Sequence, residues 1–229
     1  MRLEGQQENM LQHRPRYRPD IEGLRGVAVL IVVAFHANFP DFGGGFVGVD
    51  VFFVLSGYLI TWLLVNEAAE TRSINFGEFY ARRARRLLPA LFAMLFVTLA
   101  ISAFLYAPFE QRALARSWAT TAAYVSNIDF ATRALDYNGP NAAGNPLLHT
   151  WSLSVEEQFY LVWPLVIVCG IRLAPRAKRF TERGLVVLLF AVTGLSFGLS
   201  IYLTRSQPKW AFYLAPGRAW ELGAGGWHS

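Results

Sequence analysis

Apolar residues gather into long runs separated by shorter polar segments. The first run, within IEGLRGVAVLIVVAFHANF, predicts a helix that enters a membrane over about 24–39. That is short for a perpendicular crossing of a hydrocarbon core about 30 Å thick, so its ends belong at the interface or against protein. PDFGGG reads as a tight turn, and FVGVDVFFVLSGYLITWLLV gives a second span at 46–65. A polar stretch ends in EFYARRARRLLP, where Pro89 suits the first turn of a third span running to Ala107. The segment 108–146 is less periodic. SWATTAAYVSNIDF reads as an interfacial helix or a re-entrant piece, and LDYNGPNAAGNP as a loop. A fourth span covers 147–171 and a fifth 185–204, and AFYLAPGRAWELGAGGWHS begins a sixth.

Composition supports this pattern. The 229 residues are 54% hydrophobic, 15% aromatic and only 16% charged, with a mean hydropathy of +0.30. A soluble domain carries about a quarter charged residues. The fold class expected is therefore an all-α integral membrane protein, a multi-span helical bundle, with a soluble protein of buried helices as the alternative. Cys169 is the single cysteine, which excludes a disulfide framework and a thiolate cluster; in its apolar run it reads as a buried structural thiol. His13, His36, His149 and His228 have no metal-ligand spacing, so no metal is expected. The polar start and the absence of a small-residue cleavage pattern argue against a cleaved signal peptide.

The net charge of +5 is segregated. Arg2, Arg14, Arg16, Arg18 and Arg25 precede or open the first run. Arg72, Arg82, Arg83, Arg85 and Arg86 follow the second, and Arg172, Arg176, Lys178, Arg179 and Arg183 follow the fourth. If each run crosses once, these segments share one side, the cytoplasm by the positive-inside rule. Residues 1–20 then form a basic cytoplasmic lead to a multi-pass protein of the inner (cytoplasmic) membrane. No continuous basic face suits nucleic acid.

Several residues are costly in lipid and are therefore candidates for chemistry. Arg25 and His36 lie eleven positions apart, on nearly one helix face and about 16 Å apart along the axis. Histidine is a general base near neutral pH, and arginine holds phosphate or carboxylate. Against this, Arg25 can snorkel and His36 can bond a neighbouring helix. Glu156 and Glu157 are adjacent inside the fourth run, where one carboxylate could orient His36 or simply pair with arginine. Glu156 shares a face with His149, Leu153 and Tyr160. Asp50 opens the second run, and the Ser56–Gly57 pair permits close helix approach. Arg82, Arg83, Arg85 and Arg86 serve topology or grip an anionic substrate. Arg218 and Glu221 can pair at i,i+3.

YRPDIEGLRGVAVLIVVAFH, GGGFVGVDVFFVLSGYLIT, FYARRARRLLPA, HTWSLSVEEQFYLVWP and FYLAPGRAWELGAG follow one another in that order. In this set the chain resembles the N-terminal part of the membrane-bound acyltransferase-3 family. The resemblance implies five to six helices here from a family unit of about ten. Residues 21–229 would then be the N-terminal, apparently truncated, part of that domain. It implies transfer of an acyl group, usually acetyl from acetyl-CoA, to a hydroxyl of an envelope carbohydrate or another hydroxylated molecule. The partners implied are membrane lipids, acyl-CoA and the carbohydrate acceptor. Catalytic positions fall on His36, Glu156 and Glu157; donor or substrate binding falls on Arg25, Arg82, Arg83 and Arg86, with Asp50 added from its place in the second run. Two other functions fit the same residues: a carrier of a sugar or lipid-linked intermediate, and an inactive fragment.

Overall fold

The computed structural model describes residues 18–71, 73–133, 135, 144–173 and 178–226. The lead before residue 18, Arg72, Asp136 and most of its loop, Arg176 and His228 lie outside the described residues. Among the described residues the secondary structure is helical, without strands. The helices are α1 (Pro19–His36), α2 (Gly48–Thr71), α3 (Phe76–Leu105), α4 (Pro108–Ala122) and α5 (Ser126–Thr132). They continue as α6 (Thr150–Leu173), α7 (Lys178–Ser206), α8 (Pro208–Tyr213) and α9 (Ala215–Gly225). Among the described residues, four stretches are long and apolar enough to cross a membrane: Gly45–Thr71, Phe76–Leu105, Thr150–Arg172 and Val186–Ser206. The protein is an all-α membrane bundle.

The first apolar run departs from the expected span. Its helix begins at Pro19, ends at His36, and includes Asp20, Glu22 and Arg25. Those charges keep α1 out of the four apolar spans. Asn38 and Asp41 then adopt positive φ (53° and 68°), a conformation these short polar residues tolerate best after glycine. The chain reverses there into a 3-10 turn, Gly45–Val47, that leads into α2. Gly48 lets α1 and α2 touch: a Cβ there would lie 2.6 Å from the Ala28 carbonyl oxygen.

The third span also starts earlier than expected. Asn75 caps α3 by accepting from the Glu78 amide, so the arginine segment is helical and Pro89 lies inside the helix. The helix is about 45 Å long at 1.5 Å per residue, longer than the apolar core. Its arginine-bearing start can therefore stand outside the hydrocarbon. Beyond it, Phe96, Phe104 and Leu105 are exposed, the pattern of a lipid-facing surface.

Residues 108–132 form α4 and α5, which dock on α6 through buried polar contacts. Thr121 bonds Thr150 at 2.9 Å, Ser126 bonds Ser154 at 2.8 Å, and Asn127 donates to Gln158 at 3.2 Å. Buried Asp129 pairs with both Arg116 and Arg133. The tail forms two short helices, α8 and α9, in place of one span. α9 lodges between α2 and α7. The close approach expected at Ser56–Gly57 is made by α9: a Cβ on Gly57 would fall 1.8 Å from the Leu222 carbonyl oxygen. The core around Phe53, Leu64, Trp151, Val155, Trp163 and Leu222 joins α2, α6 and α9.

Cys169 is exposed on α6, contrary to the buried thiol expected. Its neighbours on the outer face, Leu161, Val162 and Leu165, are exposed as well. In a membrane bundle an apolar run has a lipid-facing side, so apolarity alone does not place a residue inside.

Candidate active site

Four arginines converge at one end of the bundle. Arg25 from α1 and Arg82, Arg83 and Arg86 from α3 line a cavity of about 220 Å³, together with Glu156 from α6. Each has a carboxylate partner. Arg25 donates to Glu156 at 3.1 Å, and Arg83 donates to Glu157 at 2.7 Å. Arg86 pairs with Glu22 at 3.1 Å, and Arg82 pairs with Glu78. The two glutamates can serve different arginines because neighbouring helical side chains point about 100° apart.

These pairs differ in burial. The Glu156 side chain is 6% exposed and Glu157 16%, whereas Arg82 and Arg86 are 41% and 68% exposed. An exposed ion pair contributes about 0–1 kcal/mol, so an incoming anion displaces it at small cost. Removing one partner of a buried pair costs about 3–5 kcal/mol. Arg82 and Arg86 can therefore turn to a ligand, while Arg25 and Arg83 are held. Tyr160, which the sequence marked only as a face-mate of Glu156, locks this inner layer. Its hydroxyl donates to Glu156 at 2.6 Å, and the Arg83 guanidinium sits 3.5 Å from its ring centroid.

Glu156 also lines a second, mainly apolar cavity of about 620 Å³. Val29, Val32 and His36 of α1 face it, with Phe52, His149 and Leu153 among the other walls. The series Arg25, Val29, Val32, His36 steps by four, three and four residues, one helical face. Arg25 thus stands at the arginine cavity and His36 at the apolar one, with Glu156 shared between the two.

His36 bonds through Nδ1 to the Val32 carbonyl oxygen at 2.8 Å. A carbonyl only accepts, so Nδ1 carries a proton and the lone pair of a neutral ring is on Nε2. A backbone oxygen thus occupies the position where a carboxylate orients the histidine of many general-base arrangements. Glu156 is instead committed to Arg25 and Tyr160.

A third cavity, about 240 Å³, shares Val32, His36 and Val49 with the apolar one. Asp50, Trp151, Phe212 and Arg218 line it. Arg218 donates to Asp50 at 2.8 Å and to Glu221 at 2.6 Å. Asp50 is therefore separated from the arginine cavity and associated with the histidine end. Among the described residues, no group of three or more His, Cys, Asp or Glu side chains is placed to hold a metal ion.

Residues 18–228 match the profile of the acyltransferase domain. The chain belongs to the acyltransferase-3 family. It is 40% identical over 191 residues to O-acetyltransferase OatA of Staphylococcus aureus, covering 83% of this chain and 30% of that protein. Peptidoglycan O-acetyltransferase OatA of Listeria monocytogenes is 36% identical over 210 residues, 92% of this chain and 33% of its own length. Putative peptidoglycan O-acetyltransferase YrhL of Bacillus subtilis is 38% identical over 211 residues, 92% and 32% respectively. The chain spans about a third of the length of these curated relatives. No solved structure matches it. Every candidate residue of this acyltransferase-3 chain, from Arg25 to Arg218, lies within the matched region.

Proposed function

We propose that this acyltransferase-3 chain transfers an acetyl group from acetyl-CoA to a hydroxyl of a cell-envelope carbohydrate, with His36 as general base. The observation that carries this reading is the succession of cavities. Glu156 borders both the arginine cavity and the apolar one, and His36 borders both the apolar cavity and the cavity of Asp50 and Arg218, the outer one in this reading. A donor with a polyanionic head, a long thin arm and a reactive thioester fits the first two in order. Arg82 and Arg86 engage its phosphates by charge-assisted hydrogen bonds. Arg25 and Arg83, held by Glu156 and Glu157, shape the mouth. The arm lies along Val29, Val32 and Leu153 and brings the thioester to His36.

The acceptor hydroxyl approaches from the outer cavity. As its oxygen attacks the thioester carbonyl, Nε2 of His36 takes the hydroxyl proton. The tetrahedral intermediate collapses with cleavage of the C–S bond, and the imidazolium returns that proton to the departing thiolate. The products are the acetyl ester and CoA thiol, with His36 neutral again. The Val32 carbonyl supports the imidazolium by keeping the Nδ1 proton bonded throughout. Direct transfer is preferred to an acyl-enzyme because the sequence around the candidate residues contains no activated-nucleophile arrangement.

The arginine cavity faces the cytoplasm in this reading, by the positive-inside rule, with the protein in the cytoplasmic membrane. Two of the relatives bear peptidoglycan in their names, which makes a peptidoglycan glycan the acceptor to try first. The test is transfer of labelled acetyl from acetyl-CoA to glycan by the protein in detergent. We expect His36→Ala to lower it at least about a hundredfold, the usual scale of general-base catalysis. Undiminished transfer in that variant removes His36 from the mechanism. Glycan movement without any donor dependence would indicate a carrier.

A further inference from the structure

The outer cavity contains recognition groups that the transfer reaction itself does not require. We infer that Arg218 and Asp50 form an acceptor-binding fork beside His36, one selective for an uncharged sugar ring. The inference rests on the reading of His36 as the transfer base.

The geometry is that of a small built pocket. Its volume of about 240 Å³ lies below the roughly 300–1,000 Å³ of pockets for drug-sized ligands, so it suits one ring of a chain. Phe212, half-buried and backed by the buried Trp151 with ring centroids 4.5 Å apart, supplies an apolar wall of the kind that packs against the C–H face of a pyranose. The Arg218 guanidinium lies 5.2 Å and 5.4 Å from these two rings, which sets its plane beside that wall. Arg218 is anchored through Nε to the Phe212 carbonyl at 3.2 Å and through Nη1 to Asp50 and Glu221. Its Nη2 makes no hydrogen bond among the described residues and remains a donor for a hydroxyl oxygen. Asp50, 41% exposed, offers its carboxylate as an acceptor for a hydroxyl proton. Donor and acceptor side by side are what neighbouring hydroxyls require.

Charge sets the selectivity. One guanidinium faces two carboxylates, Asp50 at 2.8 Å and Glu221 at 2.6 Å. Whether Glu221 is ionised or protonated, the trio has no net positive charge, so a sugar carboxylate gains nothing here and is repelled by Asp50. The arginine cavity, whose exposed pairs open readily, is the anion-binding end; this one is not. Glu221, 3% exposed, acts as a positioning residue that holds Arg218 from behind.

The test uses the protein in detergent with two probes, neutral N-acetylchitotriose and anionic trigalacturonate. Binding is followed by saturation-transfer NMR without any donor, and transfer separately with acetyl-CoA. We expect chitotriose alone to bind, Asp50→Asn and Arg218→Lys each to weaken it about tenfold, and His36→Ala to retain binding while losing transfer. Asp50 is half-exposed, so Asp50→Asn should fold normally; Phe212→Leu, which removes the ring but keeps an apolar side chain, provides a second test. Unchanged chitotriose affinity in Asp50→Asn and Phe212→Leu, or equal binding of trigalacturonate, overturns the fork. Variant-sensitive binding with no transfer by the parent upholds the fork and defeats the transfer reading. Transfer with an acceptor KM indifferent to Asp50 and Phe212 does the reverse.

Discussion

Replacing Arg25 by glutamine separates the two roles an arginine can have in this position. Glu156 would lose the cation that now lies 3.1 Å away, in a setting where its side chain is 6% exposed. At an effective dielectric constant of about 20, unit charges at that distance attract by roughly 5 kcal/mol. Part of this already offsets desolvation, and Tyr160 would continue to bond the carboxylate. The net loss expected is the usual cost of orphaning a buried charge, about 3–5 kcal/mol. In a chain of this size each kcal/mol lowers the melting temperature by about 2–4 °C, so Arg25→Gln should melt about 10 °C below the parent. Glu156→Gln should fall by a similar amount. The double variant carries two neutral amides that can bond each other, and it should recover at least about 2 kcal/mol relative to the sum of the singles. The assay is fluorescence-monitored thermal unfolding of the four proteins at one detergent concentration, with acetyl transfer measured on the same preparations. Stability should return in the double variant and transfer should not, because the mouth of the donor cavity has lost its charge pattern. The reasoning fails if Arg25→Gln melts within about 2 °C of the parent, or if the double variant is no more stable than either single.

Two further predictions concern packing and the ion pairs of the α4–α5 segment. Gly57→Ala places a methyl 1.8 Å from the Leu222 carbonyl oxygen, and should cost at least the upper end of ordinary overpacking, about 3 kcal/mol. Gly26→Ala, with nothing within 4 Å of its new Cβ, should be neutral or gain up to about 1 kcal/mol of helix propensity; similar melting of the two variants would contradict the α2–α9 contact. Asp129→Ala leaves Arg133 without its buried counter-ion and should destabilise by about 3–5 kcal/mol, read as earlier proteolysis of the α4–α5 segment. Unaltered proteolysis would mean that Asp129 is dispensable there.

Several features are legible in the amino-acid sequence, because each follows from local chemistry. Apolar runs of membrane length reveal the bundle, and capping and turn residues mark many of its breaks. Sequence and fold part company where local signals compete. Pro89 is a good first-turn residue, yet it sits inside α3 because the helix already starts at the Asn75 cap. The charges of α1 are plain in the sequence, but not that Arg25 pairs with Glu156 inside the bundle while Asp20 pairs with Arg18 at the surface.

The sequence by itself determined which residues would be costly in lipid: Arg25, His36, Asp50, Glu156 and Glu157 stand out because hydrocarbon rejects charge and imidazole wherever they occur. It also determined that Arg25 and His36 share a face, since helical periodicity is a local property. Tertiary structure alone decided the partners. Glu156 meets Arg25 across 131 positions, Glu157 meets Arg83 across 74, and Arg218 meets Asp50 across 168. Such pairings depend on how each helix is rotated and how closely its neighbours approach, and close approach is set at glycines such as Gly48 and Gly57. The same rotation turned Cys169 outward and brought Arg83 over the Tyr160 ring and Arg218 beside Trp151, contacts no local spacing specifies. A helix face is written in one segment of chain, whereas a site requires several faces to be aimed at one another.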